Sequence, residues 1–279
     1  MQVENHRLVD TDTYSVDHKT TPNIGKSLHM PMYIVHHYTA GHHETDNSVG
    51  WMMNKDAGVS AHVFVPREGP LITQLAPFDQ TTWHAGKSKY NGLKWLNRWS
   101  LGIEISNPGV LEPIGNGKYK TSYGAILSRD QYDIIDAPMP HRKETQPKGW
   151  LAYTDFQKKA VREITRHLRD AYKDAVHDVV GHSDISRGRK LDPGPAWNLA
   201  AIREDIFPEY SIQKNARTTA NLNMRMGMST DHRVRVTLPE NAIVSVIGHF
   251  SSGWCRVRYT YPNNTTSYGF VSETYLDMA

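Results

Sequence analysis

The stretch Gly181-His182-Ser183-Asp184-Ile185-Ser186-Arg187-Gly188-Arg189-Lys190-Leu191-Asp192-Pro193-Gly194-Pro195 puts a histidine, a lysine and an aspartate in one loop closed by prolines. An imidazole and a carboxylate are a good pair for zinc, and Lys190 between them can stabilise a developing oxyanion. A second source of ligands is Met32-Tyr33-Ile34-Val35-His36-His37, where histidines end an apolar β-like run, the usual place for a rigidly held ligand. Two ligands from the loop and one from the strand make an open zinc site, with a fourth position left to water. Side chains alternate across a strand, so His36 and His37 cannot both face that site, and spacing alone does not choose between them.

The elements that must carry these groups are legible around them. Thr154 followed by Gln157 is a capping box. Phe156, Ala160, Val161, Ile164, Leu168 and Ala171 then recur at helical spacing and predict a buried stripe. Val176 to Val180 reads as a strand delivering His182. Pro193 to Pro195 opens a last helix through Ala201 and Ile206, with Trp197 and Ile202 facing the core. Between Asn107 and Lys148 the pattern breaks into Gly, Pro, Lys, Tyr and acidic residues. A loop that long inside a compact domain is usually functional or mobile.

Five blocks appear in one order: Val35-His36, Val59-Ser60-Ala61-His62, Trp83-His84-Ala85-Gly86, Ser100-Leu101-Gly102-Ile103-Glu104-Ile105, and the loop from Gly181 to Pro195. With them the chain resembles the type-2 N-acetylmuramoyl-L-alanine amidases, whose fold is shared with the peptidoglycan recognition proteins, from about Tyr33 to Trp197. The resemblance implies an α/β fold with a mixed central sheet flanked by helices. It implies one catalytic zinc held by His36, His182 and Asp192, choosing His36 as the histidine directly after Val35. Glu104 falls on the catalytic glutamate and Lys190 on a lysine close to the attacking water, while Trp83 and His84 match positions lining the substrate groove. His37, His42, His43 and His62 are left as hydrogen-bonded or solvated residues, and His141 and Lys143 as surface charges. The implied reaction is hydrolysis of the amide between N-acetylmuramic acid and the L-alanine of the peptidoglycan stem.

Compact members of that family pass almost directly from the glutamate to the helix, so 107–148 reads as an insertion bordering the groove. From about Asn221 short β-like runs at Val234–Leu238, Ala242–Ile247, Trp254–Tyr259 and Tyr268–Val271, separated by turns such as Ser251-Ser252-Gly253, suggest a small all-β barrel. Through Leu222-Asn223-Met224-Arg225, Trp254-Cys255-Arg256-Val257 and Gly269-Phe270-Val271-Ser272 this part is similar to a bacterial SH3-like domain, which implies cell-wall anchoring. The expected organisation is an amidase domain over 1–210, a linker over 211–220 and the SH3-like domain over 221–279.

Composition narrows the alternatives. One cysteine excludes an intramolecular disulfide, and Cys255 reads as a packed small residue. A net charge of +3 and a pI near 8.8 fit an anionic partner such as the wall. No dense Lys/Arg stripe with interleaved aromatics points to nucleic acid. No segment has the ~20 apolar residues needed to cross a bilayer, the first 26 residues lack the apolar run of a signal peptide, and no obligate protein partner is evident. A general zinc peptidase is disfavoured because His43-Glu44 lacks the second histidine of a His-Glu-x-x-His helix. The expected setting is an enzyme made in the cytoplasm that reaches the wall without a signal peptide, as a phage endolysin does, or a wall-remodelling enzyme. The alternatives are a non-catalytic peptidoglycan recognition protein and a cytoplasmic muropeptide-recycling amidase. Manganese, iron or cobalt could occupy the same ligand set.

Overall fold

The computed structural model describes residues 2–28, 30–173, 175–207, 214–250 and 252–278. At its centre is a six-stranded sheet in the order Asp178–Gly181, Tyr33–Tyr38, Ser100–Ile105, Val63–Val65, Leu71–Gln74, Ser15–His18. The first four strands run parallel, Val63–Val65 and Leu71–Gln74 pair antiparallel, and Leu71–Gln74 pairs parallel with Ser15–His18, so the sheet is mixed. Strands flanked by parallel neighbours are buried on both faces, which is why Tyr33-Ile34-Val35 is an unbroken apolar run.

Alternation divides that run between two layers. Ile34, Leu101, Ile103 and Ile105 face the helix Asp155–Ala171 and meet its Ala160, Val161, Ile164 and Leu168. The helix begins at the expected box: Thr154 Oγ1 accepts from the Gln157 amide and Gln157 Oε1 accepts from the Thr154 amide. Its buried face is Gln157, Ala160, Val161, Ile164, Thr165 and Leu168; Ala171 is exposed, because the stripe has rotated off the sheet by the last turn. The shorter helix Leu199–Ile206 completes this layer with Trp197 and Ile202 buried as expected.

Tyr33, Val35 and Val180 face the other way, into a cluster with Ala85, Leu96, Ile185, Phe250 and Phe270. The last two belong to a seven-stranded antiparallel sheet in the order Val234–Leu238, Leu222–Arg225, Thr266–Ser272, Trp254–Thr260, Ile243–Phe250, Lys214–Thr218, Leu276–Met278. Leu238 from one edge and Leu276 from the other share one core with Met224, Val244 and Val257, so this sheet curls on itself. The expected strands are present. The expected linker is not: residues 214–218 form a strand pairing with Ile243–Phe250 and Leu276–Met278, while 211–213 lie outside the described residues. Lys214-Asn215-Ala216-Arg217-Thr218 hides its strand character because only the small Ala216 and Thr218 point inward. Ser251 of the expected turn also lies outside the described residues, and Gly253 there takes φ 75°.

This sheet docks on the part built around the central sheet through packed rings and a buried cation. Tyr33 meets His177 edge-on at 4.9 Å, His177 meets Phe250 at 5.8 Å, and the Arg256 guanidinium lies over Phe270 while donating to the Asn91 carbonyl. Gly92 has to be glycine here, because a Cβ would meet the Tyr268 Cβ at 2.6 Å.

The insertion is a second correction. In place of a long loop, Ile126–Ser128, Lys118–Lys120, Val110–Gly115, Lys148–Leu151 and Ile134–Ala137 form a five-stranded antiparallel sheet in that order. Leu111, Tyr119, Leu127, Ile134 and Leu151 are its core. Its strands are too short to show alternation, yet Asn116-Gly117, with φ 51° and 66°, is the hairpin turn a sequence can announce. Among the described residues no helix is long and apolar enough to cross a membrane.

Candidate metal centre and active-site cavity

The ends of the neighbouring strands Tyr33–Tyr38 and Asp178–Gly181 and the loop after Gly181 bring His37, His182 and Asp192 together. His37 Nδ1, His182 Nδ1 and Asp192 Oδ2 are mutually 2.9 Å apart, and all three residues are buried. His36 is not among them. It lies on the opposite face of Tyr33–Tyr38, where its Nε2–H donates to Thr165 Oγ1 (3.0 Å) and its Nδ1 accepts from the Trp197 indole (3.1 Å). Alternation gives the reason: His36 shares the face of Ile34, which the long helix covers, and His37 shares that of Val35. The structure therefore groups His37, and not the His36 that the resemblance implies, with His182 and Asp192.

Hydrogen bonds set the tautomers. His182 Nε2 lies 3.1 Å from the Ala85 carbonyl, which can only accept, and 3.3 Å from the Arg189 guanidinium, which can only donate; with the shorter contact taken as the hydrogen bond, the proton is on Nε2 and the Nδ1 lone pair points into the triad. The Arg189 guanidinium holds the same carbonyl (3.0 Å) together with that of Lys87. For His37 the chain is one residue longer. Ser100 donates its hydroxyl to the Leu96 carbonyl, so it accepts from His84 Nε2–H (3.3 Å); His84 Nδ1 then accepts from His37 Nε2–H (2.9 Å). His37 Nδ1 is left as a lone pair facing Asp192. The His84 ring lies directly over Gly102, where a Cβ would come within 2.5 Å of it.

Burial and the neighbouring His182 push His37 down to about 4, and His84 is driven well below its usual value by burial and by His37. Two neutral imidazole lone pairs and one carboxylate oxygen 2.9 Å apart repel unless a cation lies among them. Ligand atoms of a tetrahedral zinc with ~2.0–2.1 Å bonds lie about 3.3 Å apart, a few tenths wider than this triangle. The donor set therefore fits zinc.

Glu104 sits one strand over, in register with His37 and on the same face. Its Oε2 is buried and has no hydrogen-bond partner among the described residues. Burial first, then the charge of Asp192, raise its carboxyl well above the usual range, with Lys190 partly offsetting them. Glu104, Lys190, His182, Asp192, Trp83 and His84 line one cavity of about 390 Å³, so the sequence-derived residues other than His36 converge. His84 does more than line it, as the partner of His37. The sequence reading missed Trp51, also at this cavity, and Arg189; only the periodicity of a short helix and the charge of the loop hinted at them.

His62 is a hydrogen-bonded residue as expected, accepting from the Gly102 amide and bonding the Gln80 carbonyl. His141 pairs with Asp184 at 3.0 Å. A second group, His249, Cys255 and Glu273, lies in the C-terminal sheet, where His249 and Glu273 satisfy each other at 2.7 Å. Cys255 is part of the apolar core, and burial pushes its thiol up to about 12, which fits a packing role.

Residues 27–195, more than half of the chain, match the family described as N-acetylmuramoyl-L-alanine amidase. The chain belongs to that family. Among curated members it is similar to the 1,6-anhydro-N-acetylmuramyl-L-alanine amidase AmpD of Escherichia coli, 32% identical over 54% of this chain and 60% of that protein. It is also similar to the N-acetylmuramoyl-L-alanine amidase AmiD of Escherichia coli, 29% identical over 59% of this chain and 49% of AmiD. The chain thus spans less than two thirds of the length of either protein. The solved complex of AmiD with anhydro-N-acetylmuramic acid-L-Ala-D-gamma-Glu-L-Lys aligns over 66% of this chain and 58% of that one, at 25% identity and a TM-score of 0.45.

Proposed function

We propose that this family member is a zinc-dependent amidase that cuts the bond between N-acetylmuramic acid and the L-alanine of the peptidoglycan stem, with zinc held by His37, His182 and Asp192. The observation that carries the reading is the triad of acceptors beside a buried carboxylate that nothing else satisfies. Zinc, when bound, supplies Lewis acidity and brings the pKa of water to about 7. Glu104 takes the proton of the attacking water and passes it to the leaving nitrogen. Lys190 faces the carbonyl oxygen as charge develops, a contribution of ~2.7–4 kcal/mol for one donor in comparable sites. His84 and Arg189 do no chemistry; they hold His37 and His182 in the tautomers that ligation requires. A binding-only recognition role is disfavoured by the complete ligand set with Glu104 beside it.

The remaining parts of the reading concern setting. We take the C-terminal sheet as SH3-like and its outward face as the candidate contact with the wall, in a lytic, endolysin-like or wall-remodelling enzyme. The names of the AmpD relatives favour a second substrate, the soluble 1,6-anhydro muropeptide of recycling. Digestion of purified peptidoglycan and of a 1,6-anhydro muropeptide, each with and without chelator, followed by mass spectrometry, tests both. Peptides with a free L-alanine amine, formed only when metal is present, are the expected product. Intact stems on both substrates, or full activity in chelator, would overturn the mechanism.

A further inference from the structure

The lining of the cavity divides by chemistry. Glu104, Lys190 and Asp192 are its reactive part; Trp51, Val59 and Trp83 are large apolar groups left in water, with Trp51 57% and Trp83 38% exposed. Neither ring packs in the cores described above. Both are nonetheless held on a rigid frame. Asn23, almost fully buried, donates its side-chain amide to the carbonyls of Met52 (3.1 Å), Asn54 (2.8 Å) and Val59 (3.2 Å), so it clamps the end of the helix Ser48–Met53 that carries Trp51. Thr21 Oγ1 donates to the same Met52 carbonyl. Ser60 Oγ donates to the Asn23 carbonyl (2.5 Å) and accepts from the Trp83 amide (2.9 Å). One buried asparagine therefore ties together the backbones that present both tryptophans. Asn23 lies ahead of the residues that match the family.

An exposed ring on a fixed frame loses little freedom when a ligand covers it. A pyranose is the part of the substrate that fits, since it has an apolar C–H face for stacking and polar edges left for water. We propose that Trp51, positioned by Asn23 and acting with Trp83, is the platform on which the N-acetylmuramic acid ring stacks, and that it makes the enzyme select a sugar-linked amide over a sugar-free one. This rests on the amidase reading above.

The test compares wild type, Trp51→Ala and Trp51→Phe on N-acetylmuramoyl-L-Ala-D-Glu and on D-lactoyl-L-Ala-D-Glu, which has the same scissile amide and no sugar. Trp51→Ala should raise KM for the muramoyl substrate about fivefold, with kcat nearly unchanged, zinc content unchanged and no effect on the lactoyl substrate. Trp51→Phe should recover most of that loss. Binding is read separately, as quenching of tryptophan fluorescence by the muramoyl compound in zinc-free protein, and it should weaken by the same factor in Trp51→Ala. Asn23→Ala, with its melting temperature measured alongside, should reproduce the KM effect on the muramoyl substrate. Equal losses on both substrates, or no change on the muramoyl one, would overturn the proposal. A wild type that cleaves neither substrate would remove the amidase reading, while the quenching experiment would still decide the stacking.

Discussion

Adjacent histidines with opposite duties make the sharpest prediction. His36→Ala removes a buried ring whose two nitrogens are satisfied by Thr165 and Trp197. The indole N–H of Trp197 would be left without its acceptor, at a cost of about 1–3 kcal/mol. With the cavity left behind, the total should reach about 3–5 kcal/mol. At about 2–4 °C per kcal/mol for a chain of this size, melting should fall by about 6–20 °C. Zinc affinity should stay close to wild type. His37→Ala should do the reverse. It deletes one of three ligand atoms, so zinc affinity should fall by more than the 10–100-fold typical of losing an outer-shell partner. Melting of the metal-free protein should fall less than for His36→Ala: the lost ring and its Nε2–H bond to His84 cost stability, but removing Nδ1 relieves its repulsion with the other two acceptors. The assay is zinc competition against a chromophoric chelator, with melting followed by circular dichroism in excess chelator so that metal linkage does not enter the comparison. If His36→Ala lost zinc without losing stability, while His37→Ala kept it, the assignment of faces would be wrong.

Glu104→Gln keeps the shape of the side chain but cannot accept a proton; zinc should remain bound while kcat falls by about 10²–10⁴-fold, and turnover within tenfold of wild type would remove Glu104 from the mechanism. His84→Phe keeps a ring over Gly102 but offers no acceptor to His37, so zinc should bind about 10–100-fold more weakly; unchanged affinity would reduce His84 to a lining residue. Burial pushes His62 and His177 down to about 4 from 6.5. The unfolded chain binds their protons first, so the stability they contribute is complete above pH 6.5 and is lost as pH falls towards 4. Each is worth up to about 3 kcal/mol by that shift. Asp178, raised to about 6 by burial despite Arg203, acts in the opposite sense between about 4 and 6 and offsets part of the loss. Urea midpoints measured in chelator should therefore drop between pH 7.5 and pH 5, and a flat profile would contradict the buried, neutral histidines.

Much of this protein is decided locally, and those parts were readable. A capping box needs only Thr154 and Gln157 three residues apart, and the helix begins there. The loop from Gly181 to Pro195 carries His182, Lys190 and Asp192 to one cavity, because proline closure and a short connection leave them few other places to go. The alternation of Leu101, Ile103 and Ile105 puts Glu104 on the face away from the long helix, which is the face that matters. Other features depend on which surfaces meet. Alternation says that His36 and His37 point apart, but which one meets the metal depends on which side of the sheet the long helix covers, and a shift of one residue exchanges every side chain. The strands of 110–151 and of 214–218 are mostly too short and polar to show a period; apart from the hairpin at Asn116-Gly117, pairs such as Val110 with Trp150 and Ala216 with Val244 join residues distant in the chain. Asn23 gives no local signal at all. Its amide finds three carbonyls from the segment between Met52 and Val59 only after both pieces have folded, and that closure places Trp51 at the mouth of the site.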